Sequence, residues 1–423
     1  MRRVGIVGGG AAGLCAARHV LASGKMTPLV WESTANVGGT WKYSPAVGRD
    51  AHGNPIHSSM YKNLRTNLPK EVMAFPDFPF PEGGDSFVHH SVVAKYLQDY
   101  SSHFDVSPWI KHEHLVEKVS PVTNEEGGTS WAITARDLNG DSSSTTICDA
   151  VFICNGHYSV PKVPTLPGIE RYSGRQVHSH DYREPSSFRG ATVLVLGAGA
   201  SGLDIAIELA TEAKEVILSH KLPKPVTSPL PPNMRQVAAA TAATEDGFVL
   251  SDGSSVKADI ILYCTGYEYT FPFLDPECGV RVEGNQVKPL YKHMINCDFP
   301  SMAFLGIPVQ ICPFPMFDFQ VRFFLQVLTG KLPLPSAEEM KAEVEREVEE
   351  RLSNGVESRH FHNMSILQWE YTRDMAALAG IHATKPVVEK LFTAVREMRN
   401  QALMTYKENK YRITGSDSFE RVG

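Results

Sequence analysis

A short apolar run, Val4-Gly5-Ile6-Val7, enters Gly8-x-Gly10-x-x-Gly13 and then a stretch rich in Ala and Leu. This pattern predicts a buried strand turning sharply into a helix. It recurs far downstream. Ala191 to Leu196 runs into Gly197-x-Gly199-x-x-Gly202, followed by a helix over Leu203 to Ala210 and a strand over Val216 to Leu218. Between the copies, the alternation through Val116, Val119 and Trp131-Ala132-Ile133-Thr134 predicts antiparallel strands over 115–135, with a polar turn at 124–129. Two further apolar runs, Asp149 to Gly156 and Ala258 to Tyr267, read as buried strands closing on glycine turns. Later the chain predicts a strand within 290–306, helical character over 318–328, and a charged helix. That helix starts at the capping box Ser336-Ala337-Glu338-Glu339, repeats Met340, Val344, Val348 and Leu352 every four residues, and stops at Asn354-Gly355. Its charges read as a solvated face. Pro161, Pro164 and Pro167 mark a stiff boundary, and the tail from Lys407 carries no legible chemistry.

The glycine spacing acquires chemical meaning from Glu32, which ends the next apolar run at 32 − 13 = 19 positions past the last glycine. Strand, glycine turn, helix and acid together form a dinucleotide fingerprint. Gly8 permits the tight turn, Gly10 lets backbone N–H groups approach a pyrophosphate, Gly13 allows close helix packing, and Glu32 accepts from ribose hydroxyls. The second copy ends its second strand differently, at Ser219-His220-Lys221, with no carboxylate. An acid there would repel a 2′-phosphate, whereas Lys221, with Ser219 and His220, could pair with one. The first unit therefore suits FAD or NAD, and the second NADP. Two such sites in one chain imply electron traffic between nicotinamide and flavin.

Other candidates are less specific. Gly38-Gly39-Thr40-Trp41 is a glycine turn that could lie against a bound ring system, or equally an ordinary surface loop. Asn67, beside Pro69 in the proline- and aromatic-rich stretch Met60 to Pro81, could offer an amide to a cofactor or simply make a turn. Three His-x-His pairs, His112/His114, His178/His180 and His360/His362, lack carboxylate or cysteine partners at ligand spacing, so no metal is expected. The seven cysteines are scattered without a C-x-x-C pair, which argues against a disulfide framework and zinc, and the redox pair of the flavin disulfide reductases is missing beside Cys15.

Composition narrows the partners. The formal charge of −6 comes with no basic stripe for nucleic acid, so small-molecule partners are expected. No apolar run approaches the roughly 18 residues of a membrane span. The first strand begins by Val4, so the chain as written is expected to be soluble, either cytoplasmic or the mature form of an extracellular protein, the latter kept open by the sequon Asn363-Met364-Ser365.

Between the two fingerprints lies Tyr172-x-Gly174-x-x-x-His178-x-x-x-Tyr182, running to Phe188-Arg189-Gly190. With this motif the chain closely resembles the flavin-containing monooxygenases. Gly39-Thr40-Trp41, Tyr61-Lys62 with Thr66-Asn67, Phe75 to Pro79, Cys154-Asn155-Gly156-His157, Cys264-Thr265-Gly266-Tyr267 and Leu290-Tyr291-Lys292 are similar landmarks in the same order. The Baeyer–Villiger monooxygenases share that fold but usually close the motif with Trp, where Tyr182 stands here. The chain as written is expected to be without the membrane-anchoring tail of the vertebrate enzymes. It thus resembles short soluble insect members, some of which N-oxygenate pyrrolizidine alkaloids such as senecionine.

The resemblance implies an α/β fold of two Rossmann-like domains, the NADP domain inserted into the FAD domain: FAD-binding over 1–165 and 289–423, NADP-binding over 166–288. It implies that NADPH reduces FAD, that the reduced flavin captures O2 as a C4a-hydroperoxide, and that an amine or thioether attacks the distal oxygen. Asn67 would support that intermediate as the catalytic residue. Cofactor contacts would come from Gly8, Gly10, Ala12, Gly13, Glu32, Gly39, Thr40, Trp41, Thr66, Asn67, Leu68, Val116 and Gln320 on the flavin side. Gly197, Gly199, Ser201, Gly202, Ser219, His220, Lys221, Tyr182, Thr265 and Gly266 complete the set. His178 and Tyr182 would organise the domain interface, or simply be a satisfied histidine and a packed tyrosine. A homo-oligomer is left open, as is a non-catalytic NADPH- and FAD-binding redox sensor.

Overall fold

The computed structural model describes residues 1–422. Arg2–Val7 is the middle strand of a seven-stranded sheet, paired in parallel with Met26–Trp31 on one side and Ala150–Ile153 on the other. Buried on both faces, these strands read as continuous apolar runs. Ile110–Lys111 extends one edge, and Met302–Phe304, Ile295–Asn296 and Leu290–Tyr291 extend the other, the last two in antiparallel pairing. A strand from beyond residue 290 thus lies directly against one from before residue 154.

The second sheet has five parallel strands in the order Met234–Val237, Glu215–Ser219, Thr192–Leu196, Ile260–Tyr263 and Arg175–His178. The chain passes between the two sheets at Val160–Pro161 and returns at Tyr267–Glu268, and these segments pair with each other antiparallel. The expected antiparallel strands form a three-stranded sheet of His114–Thr123, Thr129–Asp137 and Ser142–Cys148.

The helix Ala11–Ala22 follows the first strand and packs against Pro313–Leu328 and His90–His103. Their shared core holds Leu14, Val20, Val93, Leu97, Phe152, Phe319 and Phe323, each fully enclosed. The helix around 318–328 begins earlier than the sequence pattern suggests, at Pro313, because proline is tolerated in a first turn where no N–H is needed.

Ser336 caps Ala337–Ser353 through a complete capping box with Glu339, and the helix ends at Asn354. Its charged side is not simply solvated. Lys341 and Glu343 form ion pairs with Asp298 and Lys292, and Glu347 bonds His293 at 2.9 Å, so the helix docks by charge onto the 292–298 segment. Two helices without a clear sequence signal, Leu367–Ala379 and Pro386–Gln401, complete the C-terminal part. Among the described residues, no helix is long and apolar enough to cross a membrane.

Candidate active site

Both glycine loops sit where a strand's C-terminal end meets a helix N-terminus. Gly8 takes φ +106° and Gly197 φ +111°, values that favour glycine. A Cβ on Gly13 would overlap the Gly8 carbonyl oxygen, and one on Gly202 would overlap that of Gly197. The last glycine of each loop is therefore fixed by contact. The opening helix makes its first intrahelical bond from Leu14 N–H to Gly10 O at 3.0 Å, and its second-unit counterpart from Leu203 N–H to Gly199 O at 3.1 Å. Neither has a side-chain cap, so the first-turn amides, including those of Ala12 and Ser201, are left to a ligand.

Around the first loop the structure gathers a cradle. Glu32 is buried; its Oε2 accepts from Gly9 N–H at 2.8 Å and its Oε1 from the Thr34 N–H and hydroxyl, both at 2.8 Å. Gly38 N–H donates to Gly9 O at 3.1 Å, which draws the second glycine turn over the first. Gly39 follows at φ +54°, and a Cβ there would stand 3.0 Å from Gly10 Cα. Side chains on either loop would fill the gap between them. Thr40 and Trp41 complete this turn, with Trp41 edge-on to Phe314 at 6.2 Å and the Thr40 carbonyl accepting from Ser58 Oγ at 2.8 Å.

Phe314 stacks on Phe75, which follows closely on the Thr66-Asn67-Leu68 turn. Thr66 is buried and its hydroxyl accepts from Val88 N–H at 3.1 Å; Leu68 is half-buried. Asn67 between them is exposed.

Two flavin-side expectations change. Gln320 is fully buried, accepting from Gly306 N–H at 3.2 Å and donating to the Tyr371 hydroxyl at 3.2 Å. With those bonds made it braces the Gly306 turn and does not reach an open surface. The Val116 side chain likewise lies in the core beside Trp31 and Ile133, leaving only its main chain for any ligand.

At the second loop, Gly199, Ala200 and Ser201 are exposed, and a Cβ on Gly199 would meet nothing within 4 Å. The same holds for Gly266, at φ +86°. Thr265 beside it donates to Lys162 O, tying this turn to the outgoing crossover. Lys221 is exposed and, among the described residues, belongs to no ion pair.

Ser219 and His220 correct the expected phosphate trio. The Ser219 hydroxyl is fully buried, donating to Ala238 O at 3.0 Å and accepting from Ala240 N–H at 2.8 Å. His220 Nδ1 accepts from Leu222 N–H at 3.2 Å, and Nε2 lies 3.2 Å from Gln236 Oε1, so both ring nitrogens are engaged within the fold. Of the three, Lys221 alone offers a free charge.

The motif between the fingerprints works structurally. Tyr172 donates to Ala258 O at 2.9 Å, and a Cβ on Gly174 would overlap the Tyr172 ring. His178 Nδ1 accepts from His180 N–H at 3.0 Å, and burial lowers its pKa to about 4. Tyr182 is almost fully buried and donates to Glu208 Oε2 at 2.9 Å; burial first and then Glu208 raise its phenol, so it holds its proton. No sequence motif marks the neighbouring Arg183. Its buried guanidinium donates to the carbonyls of Ser44, Ala46, Ser58, His180 and Tyr182, clamping two loops together.

Among the described residues, the one group with ligand atoms within 4.8 Å of each other is Cys15, His19 and Asp318. Asp318 is already bound to His19 at 2.7 Å and Arg322 at 2.8 Å, a tie between two packed helices.

Known proteins share this arrangement along nearly the whole chain. The family model "Flavin-binding monooxygenase-like" matches residues 1–229 and 230–421. The chain is 36% identical to "Flavin-containing monooxygenase FMO GS-OX-like 4" of Arabidopsis thaliana, covering 96% of this chain and 93% of that protein. The structure of S-allyl-L-cysteine S-oxygenase from Allium sativum superposes with a TM-score of 0.88 at 35% identity, covering 96% of this chain and 95% of the other. Tmm from Pelagibacter sp. gives a TM-score of 0.85 at 28% identity, covering 99% and 95%. With two uncapped glycine-loop helices on two sheets and matches of this extent, the chain belongs to the flavin-binding monooxygenase-like family, enzymes that use FAD and NADPH.

Proposed function

We propose that the protein oxygenates the sulfur of a small thioether, consuming NADPH, a proton and O2 and releasing the sulfoxide, NADP⁺ and water. The observation that carries the reading is the likeness, over nearly the entire chain, to a structure named as an S-oxygenase of an allylated cysteine. The Arabidopsis relative aligns over 96% of this chain and 93% of its own length. N-oxygenation of an alkaloid amine is the second reading, because the one protein named above whose name states a reaction is an S-oxygenase.

The residues fit the two cofactors. Gly8 to Gly13, Glu32 and Gly39 to Trp41 would hold FAD, because the gap between the two glycine turns is one that any Cβ would fill and the helix amides there lack a cap. The open second loop and Lys221 would hold NADPH. FAD supplies the two-electron activation of O2. The protein's own tasks are to exclude water and to place a neutral amide donor, with no acid–base pair required. Asn67 is that donor in this reading, being exposed between a buried threonine and a half-buried leucine.

Purified protein should be yellow and bleached by NADPH. Given matched thioethers and tertiary amines, it should turn over the thioethers at least about tenfold more efficiently in kcat/KM, a difference of about 1.4 kcal/mol; preference for amines would overturn the sulfur assignment. Asn67→Ala should keep NADPH oxidation within about twofold while most of its electrons leave as H2O2. Tightly coupled turnover in that variant would remove Asn67 from the site.

A further inference from the structure

The helix Ala200–Leu209, whose N-terminus is the second glycine loop, carries Asp204 and Glu208 one turn apart on the same face. Both carboxylates are held by groups from distant parts of the chain. Tyr61 donates its hydroxyl to Asp204 Oδ2, and Asn63 Nδ2 donates to Glu208 Oε1 at 2.6 Å. Lys407, in the C-terminal tail, donates to Asp204 Oδ1 at 2.5 Å and also to the main-chain carbonyl of Arg65 at 3.1 Å. Arg65 answers by donating to Lys407 O at 2.7 Å and to Glu408 Oε1 at 2.6 Å. The tail is itself anchored on the second unit, where Leu403 N–H donates to the buried Ser228 hydroxyl at 2.8 Å.

Residues 61–65 lead directly into Thr66-Asn67. The one carboxylate of Asp204 is thus bonded to both ends of the segment preceding the exposed amide, through Tyr61 at its start and through Lys407 at Arg65. Its own helix is a stiff rod whose opposite end is the uncapped N-terminus at Gly199, about one and a half turns away. Lys407 has a side-chain exposure of 14%, so the ion pair is shielded from much of the solvent that weakens surface pairs.

We propose that Asp204 is a positioning residue for Asn67: through Tyr61 and Lys407 it couples the seating of NADPH on the second glycine loop to the placement of the Asn67 amide on the first unit. This rests on the role of Asn67 given above. It also assigns work to Lys407, which restrains the 61–67 segment without touching substrate or cofactor.

Lys407→Met keeps the aliphatic stem and removes the charge, and hydrogen exchange followed by mass spectrometry reads the segment directly. In the protein without added NADPH, amides of residues 61–66 should exchange about fivefold faster, while the helix Pro313–Leu328 stays unchanged. In turnover, KM for NADPH should hold within about twofold while H2O2 release per NADPH rises severalfold, a split that general loosening would not give. Lys407→Arg should restore both, and Asp204→Asn, which retains an acceptor for Tyr61, should reproduce the defect.

Unchanged exchange over 61–66 in folded Lys407→Met protein would overturn the coupling, as would a rise spread evenly through the molecule. Asn67→Ala measured alongside separates the two levels. If it uncouples turnover while Lys407→Met does not, this inference fails alone; if it does not uncouple, the role of Asn67 fails and takes the inference with it.

Discussion

At Gly10 the opening helix begins beneath the Gly38–Trp41 turn, with Ala11 and Ala12 buried, whereas at Gly199 the second helix begins with Gly199, Ala200 and Ser201 all exposed. The two loops share their glycine spacing, their positive φ at the first glycine and their close contact at the last. What differs is the cover. Residues 38–41 lie over the first loop, with Trp41 backed by Phe314, and among the described residues no such turn lies over the exposed second loop. A roofed site suits a cofactor retained through turnover, and an open one suits a cosubstrate that must leave each cycle. The strand ends agree: Glu32 is buried and bonded through both oxygens, while Lys221 is exposed and, among the described residues, belongs to no ion pair.

The largest test of this contrast replaces the last glycine of each loop. Gly13→Ala places a methyl group against the Gly8 carbonyl inside the main core, so stability should fall by about 3 kcal/mol or more and bound flavin should be lost. Gly202→Ala makes the same clash at Gly197. There the protein should purify yellow with its flavin in place, yet NADPH should no longer bleach it. Equal loss of flavin in both variants would erase the distinction between the sites.

A smaller effect is expected at the strand ends. Lys221→Ala should raise KM for NADPH by about tenfold and leave NADH nearly unaffected, the loss expected for one charge-assisted hydrogen bond. Glu32→Gln presents an NH2 group where one oxygen now accepts from a backbone N–H, so apparent flavin affinity should fall by about tenfold with KM for NADPH unchanged. Swapped effects, with Glu32 governing NADPH, would reverse the assignment.

The smallest expected effect falls on both units together. His157 follows a strand of the first sheet and His178 ends one of the second, and burial lowers each from 6.5 to about 4. The folded chain therefore binds these protons more weakly than the unfolded chain does. Stability is present above pH 6.5 and is lost progressively as pH falls toward 4. A melting temperature that drops across that range, less steeply in His178→Gln, is the expected measurement.

Much of this was legible from local pattern. The glycine loops were readable because strand, turn and helix are consecutive and each glycine answers a local steric need. The capping box at Ser336 was readable for the same reason. Glu32 was found by spacing, since its strand is the immediate neighbour of the first. Ser219, His220 and Gln320 were placed by analogy of position, but hydrogen-bond partners from Ala238, Gln236 and Gly306 had already claimed them. Such partners come from other segments, and no period in the sequence announces them.

By itself, then, the sequence determined the two dinucleotide units and the acid that distinguishes the first from the second, because those depend on residues within one strand–turn–helix of each other. Tertiary structure alone decided which loop is roofed and which is open. It also gave the unreadable tail its place, bringing Lys407 onto Asp204 and Arg65 across 203 and 342 residues of chain. The physical reason is the same in both cases: a side chain's role is set by what burial and hydrogen bonding leave unsatisfied beside it, and those neighbours are supplied by the fold.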